Sequence, residues 1–144
     1  MPKSTDSCNR ILNLLYRATA WASVADNASS SPFTAVYVGL HTGNLTAGTN
    51  QQTDNETAYT NYARVSTARS TGWDAASGGA TANAATISFA QCGASGATLT
   101  HVSLGPGASG TSAVWHYGAL NSSLAVSSGI TPQFAAGALT ITET

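Results

Sequence analysis

Three histidines are the residues in this chain whose chemistry matters first. His41, His101 and His116 are side chains able to change charge close to neutral pH. All three fall within, or at the end of, segments that read as β-strands. Neighbouring strands could therefore gather them into a three-imidazole zinc or iron site. The spacing argues against such a site. Metal-binding jelly rolls of the cupin type carry an HxH pair with a Glu close by. Here no two histidines share a strand, and no Glu lies between Glu56 and Glu143. We expect no metal and no other cofactor.

Other catalytic arrangements are no better supported. Serines are plentiful, but no GxSxG elbow is present. A carboxylate pair for glycoside hydrolysis would have to come from Asp6, Asp26, Asp54, Glu56, Asp74 and Glu143. Most of these lie in loop-like stretches, where acids are normally solvated. The segment GPG (105–107) reads as a turn, because a phosphate cradle needs a helix directly after it. No catalytic residue is expected, and the chain does not read as an enzyme. Trp73 beside Asp74, Trp115 and the polar stretch 42–61 motivate a glycan- or receptor-binding alternative. The favoured reading of Trp73 is a half-buried strand end, and that of Trp115 with Tyr117 is core or interface packing.

The elements that would hold these residues follow from pattern. The 144 residues suit one domain, and 42% hydrophobic content makes disorder unexpected. Only 8% of residues are charged, against about 25% in an average soluble protein. With a net charge of −1, repulsion hardly separates copies of the chain. The five basic residues, Lys3, Arg10, Arg17, Arg64 and Arg69, are scattered. That disfavours a nucleic-acid partner, which needs clustered cations. No apolar run approaches the ~18 residues of a membrane span. Cys8 and Cys92 form no metal motif; they read as two buried thiols, with a single bridge as the alternative.

Residues 4–25 read as an amphipathic helix rather than a signal peptide. Ile11, Leu14, Leu15, Ala18 and Trp21 recur at steps of three and four, whereas Asp6, Asn13 and Arg17 disturb any secretory leader. Beyond Pro32 the pattern becomes all-β. Strands are expected at 33–41, 62–70, 83–91, 97–105, 112–120, 123–129 and 137–143. Turns are expected at 105–110 and at the NSS of 121–123. The expected fold is mainly β: an antiparallel β-sandwich or jelly-roll-like domain over 33–144, preceded by one helix. In this reading Val36, Val38 and Leu40 face the core, and His41 marks the passage from a strand into a long polar loop.

The order of segments NLLY, VYVGLHTG, YARV, GGATANAATISFA, LTHVSLG, WHYGAL and SGITPQFAAGALTIT resembles a family of small structural proteins of tailed bacteriophages, often described as tail-fibre-like. The resemblance implies a non-enzymatic virion component that is assembled in the bacterial host cytoplasm and has no catalytic residues to carry over. Within that family, an external capsid decoration or cement protein is the expected role. The alternatives are a tail, tail-tip or tail-fibre-associated protein, or a glycan-binding β-sandwich. The expected partners are further copies of the chain, as a trimer, and a major virion protein such as the capsid protein. Ile11, Leu14, Leu15 and Trp21 are the expected interface residues. Removal of residues 1–25 should then weaken incorporation into particles more than it harms the β-domain.

Overall fold

A computed structural model describes residues 4–21, 33–45 and 51–143. In chain order the elements are α1 (Thr5–Arg17), β1 (Ala35–His41), β2 (Val65–Ala68), β3 (Ala80–Ala82), β4 (Ile87–Ser88), β5 (Ala97–Gly105), β6 (His116–Val126), β7 (Gln133–Phe134) and β8 (Thr140–Thr142). The fold is mainly β, with one N-terminal helix, as the sequence pattern predicts. One sheet runs β2-β1-β5-β6, and two short ladders pair β3 with β8 and β4 with β7. The chain divides into two compact units, one of residues 1–35, 68–87 and 134–144, the other of 36–67 and 88–133.

The first unit is built on α1. Ser4 caps the helix, its Oγ accepting from the Ser7 N–H at 3.2 Å, and Asp6 lies in the first turn, where the helix dipole favours an acid. The helix stops at Arg17, well short of residue 25. Ala18 turns left-handed at φ 54°, and the Thr19 N–H closes back on the Asn13 carbonyl at 3.1 Å. Residues 22–25 of the expected helix lie outside the described residues.

The face that α1 buries lies beside the stripe read from the sequence. Cys8, Leu12 and Tyr16, spaced by four, are buried, while Ile11, Leu14, Leu15 and Trp21 are half-buried. Beside the buried stripe runs a polar one. Asn9 accepts from the Gly79 N–H at 2.6 Å, Asn13 from the Ala76 N–H at 3.0 Å, and Arg17 donates to the Trp73 carbonyl at 3.0 Å. Arg69 caps the other end, its guanidinium donating to the carbonyls of Leu14, Leu15 and Phe33. The helix is therefore part of this unit's core. Removing residues 1–25 takes Cys8, Leu12 and Tyr16 out of that core, and particle incorporation measured beside unfolding of the truncated chain separates the two effects.

Opposite the helix, Ser77–Ala80 make a tight turn in which Gly78 and Gly79 both take positive φ, the backbone of a primed hairpin turn. It leads into β3, which pairs antiparallel with β8 and places Thr81 opposite Ile141. Asn83 is fully buried and satisfied at both ends. Its amide donates to the Ala85 and Ala135 carbonyls, and its oxygen accepts from the Leu139 N–H. Only Ala80–Ala82 and Ile87–Ser88 are strand around the expected 83–91 segment, whose other ties are the side-chain bonds of Asn83 and isolated backbone bonds such as Ala84 N–H to the Gly72 carbonyl.

The second unit is built on the sheet. β1 and β5 run antiparallel with Val38 opposite Leu104 and His41 opposite His101. Val36, Val38 and Leu40 are buried, as the alternation predicts. β5 covers the expected 97–105. The NSS segment is not a turn: the two strands expected at 112–120 and 123–129 are one edge strand, β6. The β5–β6 register jumps between Leu99↔Leu124 and His101↔Ala119, so Leu120–Ser123 bulge opposite Thr100. Such a bulge breaks the free edge of the strand and discourages further strand pairing.

Candidate ligand-binding groove

His41, at the end of β1, is fully buried and bonded at both ring nitrogens. Nδ1 lies 2.8 Å from the Asp54 carbonyl and Nε2 lies 2.8 Å from Ser103 Oγ. A carbonyl can only accept, so Nδ1 carries the proton and Nε2 accepts the Ser103 hydroxyl. Burial lowers the pKa of His41 from its ordinary value, which holds the ring neutral. The order serine, imidazole, aspartate resembles a hydrolytic triad, but two features separate it from one. Asp54 contributes its backbone oxygen and not its carboxylate. His41 and Ser103 are both 0% exposed, so no substrate reaches the hydroxyl. A Cβ on Gly39 would stand 3.0 Å from Ser103 Oγ and 3.3 Å from His41 Nε2, so this strand position holds a glycine to make room for the pair.

The remaining candidates separate. His101 faces His41 across the β1–β5 ladder and shares a 2.9 Å hydrogen bond with Thr100, while His116 pairs with Leu104 at the far end of β5. Among the described residues no three His, Cys, Asp or Glu side chains converge. Trp73 is 1% exposed and packs against Tyr16 with ring centroids 4.8 Å apart and the planes tilted by 58°, so it is core and offers no face to a sugar. Burial pushes the Tyr16 hydroxyl far above its ordinary pKa. Trp115 precedes β6, half-buried, its backbone N–H donating to the Leu104 carbonyl at 2.7 Å. Cys8 and Cys92 are buried free thiols, which disposes of the single-bridge alternative.

The polar stretch after His41 holds the arrangement that sequence reading missed. Glu56 Oε1 accepts from Arg64 Nε at 2.6 Å and from the Tyr62 hydroxyl at 2.9 Å, and Oε2 accepts from Arg64 Nη2 at 2.7 Å. Arg64 also donates to the carbonyls of Gly107 and Gly110, each at 3.0 Å. The Tyr62 oxygen in turn accepts the Leu40 N–H of β1 at 3.0 Å. Burial raises the Tyr62 pKa, so its hydroxyl keeps its proton. Exposure of the Arg64 and Glu56 side chains is 2% and 19%, so this bidentate pair is nearly dry and shows water only one carboxylate edge.

Over that edge lies an open groove of about 690 Å³, within the size range of small-molecule sites. Thr53, Ala58, Thr60, Asn61, Ala63 and Ser109 stand around it. Residues 56–64 form almost no ladder of their own; isolated backbone bonds, such as the Thr57 N–H to the Leu40 carbonyl and the Thr60 N–H to the Ser95 carbonyl, fix them together with side chains. Tyr59 donates to the Ala90 carbonyl at 3.0 Å, and Tyr62 lies between Tyr59 and Phe89, with centroids at 5.3 and 6.3 Å. A signal existed in the sequence: Glu56 and Arg64 are two of only four charged residues, with Asp54 and Arg69, between Asp26 and Asp74.

A family model described as Podophage GP4 fiber I protein gp80 matches residues 2–142. A search of curated proteins returns no match. Of the two virion placements expected from sequence, the match takes the fibre, and capsid decoration or cementing gains no support from it. The chain belongs to the Podophage GP4 fiber I protein gp80 family, and is thus a phage tail-fibre protein and a structural component of the virion.

Proposed function

We propose that the chain is a non-enzymatic subunit of the tail fibre, assembled with further copies of itself and seated on a neighbouring virion protein. The family match over residues 2–142 carries this reading. The sealing of His41 and Ser103 from substrate agrees with the non-enzymatic part. For self-assembly, a chain with 8% charged residues and a net charge of −1 presents little repulsion between copies. The half-buried Ile11, Leu14, Leu15 and Trp21 remain the proposed contact residues, now as the flank of a helix whose other side is core. A trimer is the proposed assembly, formed in the host cytoplasm before particles are complete.

Gold-labelled antibody on intact particles tests the placement. Label confined to the tail appendages is expected, and label over the capsid shell overturns the reading. Light scattering on the purified chain tests self-assembly, with a mass of three copies expected and a monomer at all concentrations contrary to it.

A further inference from the structure

We propose that the groove over the Glu56–Arg64 pair binds a neutral saccharide. Its floor is fixed before any ligand arrives. Arg64 is committed to Glu56 and to the carbonyls of Gly107 and Gly110, and Glu56 is held from its other side by Tyr62. A floor that does not have to be ordered on binding spares the ligand that entropic cost.

The polar groups at hand are mixed in kind. Glu56 Oε2 accepts from Arg64 Nη2 and has a lone pair to spare. Thr60 Oγ accepts from the Ser95 N–H at 3.0 Å, which leaves its own proton to donate. Asn61 Nδ2 donates to the Gln91 carbonyl at 3.2 Å, which leaves its amide oxygen to accept. Thr53 and Ser109 are exposed hydroxyls that do either. Sugar hydroxyls, each both donor and acceptor, suit such a surface. The methyls of Ala58, Ala63 and Ala108 give the C–H face of a pyranose something apolar to rest on, and their small size keeps the groove open.

Charge selects the class further. Glu56 and Arg64 neutralise each other, and the other groove residues carry no charge. An acidic sugar or a phosphate meets no uncommitted cation, since Arg64 is 2% exposed and already bonded. This inference rests on the fibre reading only for where such a ligand is met, namely at a cell surface. The binding itself is a property of the purified chain.

The test is saturation-transfer NMR on the purified full chain with maltose, lactose and methyl α-mannopyranoside, using sialyllactose and glucose 6-phosphate as charged controls. Transfer to at least one neutral sugar is expected, with less to the charged ones. Ala58→Trp and Ser109→Trp, both at exposed positions, should each weaken that binding by about tenfold or more while leaving the unfolding midpoint unchanged. The proposal is overturned by a folded chain that gives no transfer to any neutral sugar, by a preference for the charged controls, or by transfer that survives both tryptophans. It is also overturned if the tryptophans abolish self-association and sugars have no effect, because the groove then seats a peptide segment of a neighbour. Gold label away from the tail would defeat the fibre reading and leave this result standing.

Discussion

Two polar clusters within one unit solve the same problem in opposite ways. His41 and Ser103 are neutral, fully sealed, and bonded so that each hydrogen has one acceptor. Glu56 and Arg64 are charged, and their cluster has an edge open to water. A neutral pair needs only its own hydrogen bonds to be buried at little cost, whereas a buried charge pair needs further partners to offset desolvation. Gly107, Gly110 and Tyr62 supply them. The sealed pair is scaffold, whereas the open one is the floor of the groove proposed above as a binding site.

The largest effect should come from breaking the charged cluster on one side. Arg64→Met leaves Glu56 nearly buried beside Tyr62 alone and orphans two carbonyls, so a loss of about 3–5 kcal/mol is expected in urea unfolding. Glu56→Leu combined with Arg64→Met should recover a large part of it, because the uncompensated charge is then gone. If the double variant is as unstable as the single one, the cost belongs to the two carbonyl contacts and not to the charge.

Next in size is the neutral pair. His41→Leu strands the Ser103 hydroxyl and the Asp54 carbonyl, for an expected loss of about 1–3 kcal/mol. The same histidine predicts a pH dependence. Its folded pKa is depressed by burial, opposed in part by the Asp54 hydrogen bond and the Glu56 charge, with Arg64 and His101 adding to the depression. The unfolded chain then takes up the proton first. The contribution of His41 is full above the unfolded pKa of about 6.5 and is lost as pH falls through the lower folded value. Unfolding midpoints measured downward from neutral pH should show this slope in the native chain and less of it in His41→Leu.

Smaller effects probe the packing around both clusters. Gly39→Ala places a methyl 3.0 Å from Ser103 Oγ, and about 1–2 kcal/mol of destabilisation is expected from thermal unfolding as the pair is pushed apart. Thr57 carries the buried hydroxyl left without a hydrogen-bond partner among the described residues. Thr57→Val should therefore be within about 0.5 kcal/mol of neutral, or stabilising. A clear loss of stability there would reveal a bridging water.

Much of the scaffold was legible from local pattern. The alternation Val36, Val38, Leu40 located β1 and its buried face, and 97–105 was bounded correctly, because both strands are long enough to show a period of two. Other readings failed where a local signal met a long-range partner. The period of Ile11, Leu14 and Leu15 is legible in the helix, but the buried face beside it, Cys8, Leu12 and Tyr16, is decided by distant Trp73 and Gly79, which pack against Tyr16 and Cys8. The NSS turn chemistry lost to pairing with β5, which absorbed those residues as a bulge. Trp73 packs, as the favoured reading of that segment expects, and Tyr16 covers its ring more completely than a half-buried strand end requires.

The sequence alone determined the class of molecule: a charge-poor chain with one capped helix, short strands and uncharged loops, in the segment order of a phage structural family. Periodicity and composition are local or summed properties, and a linear reading retains both. Only the tertiary structure decided which polar groups meet. Ser103 finds His41 from 62 positions away, and Arg64 reaches carbonyls 43 and 46 positions distant. Such pairings have no period. They are fixed by which backbone atoms the packed sheet leaves in need of a donor, and that need exists only once the chain has folded.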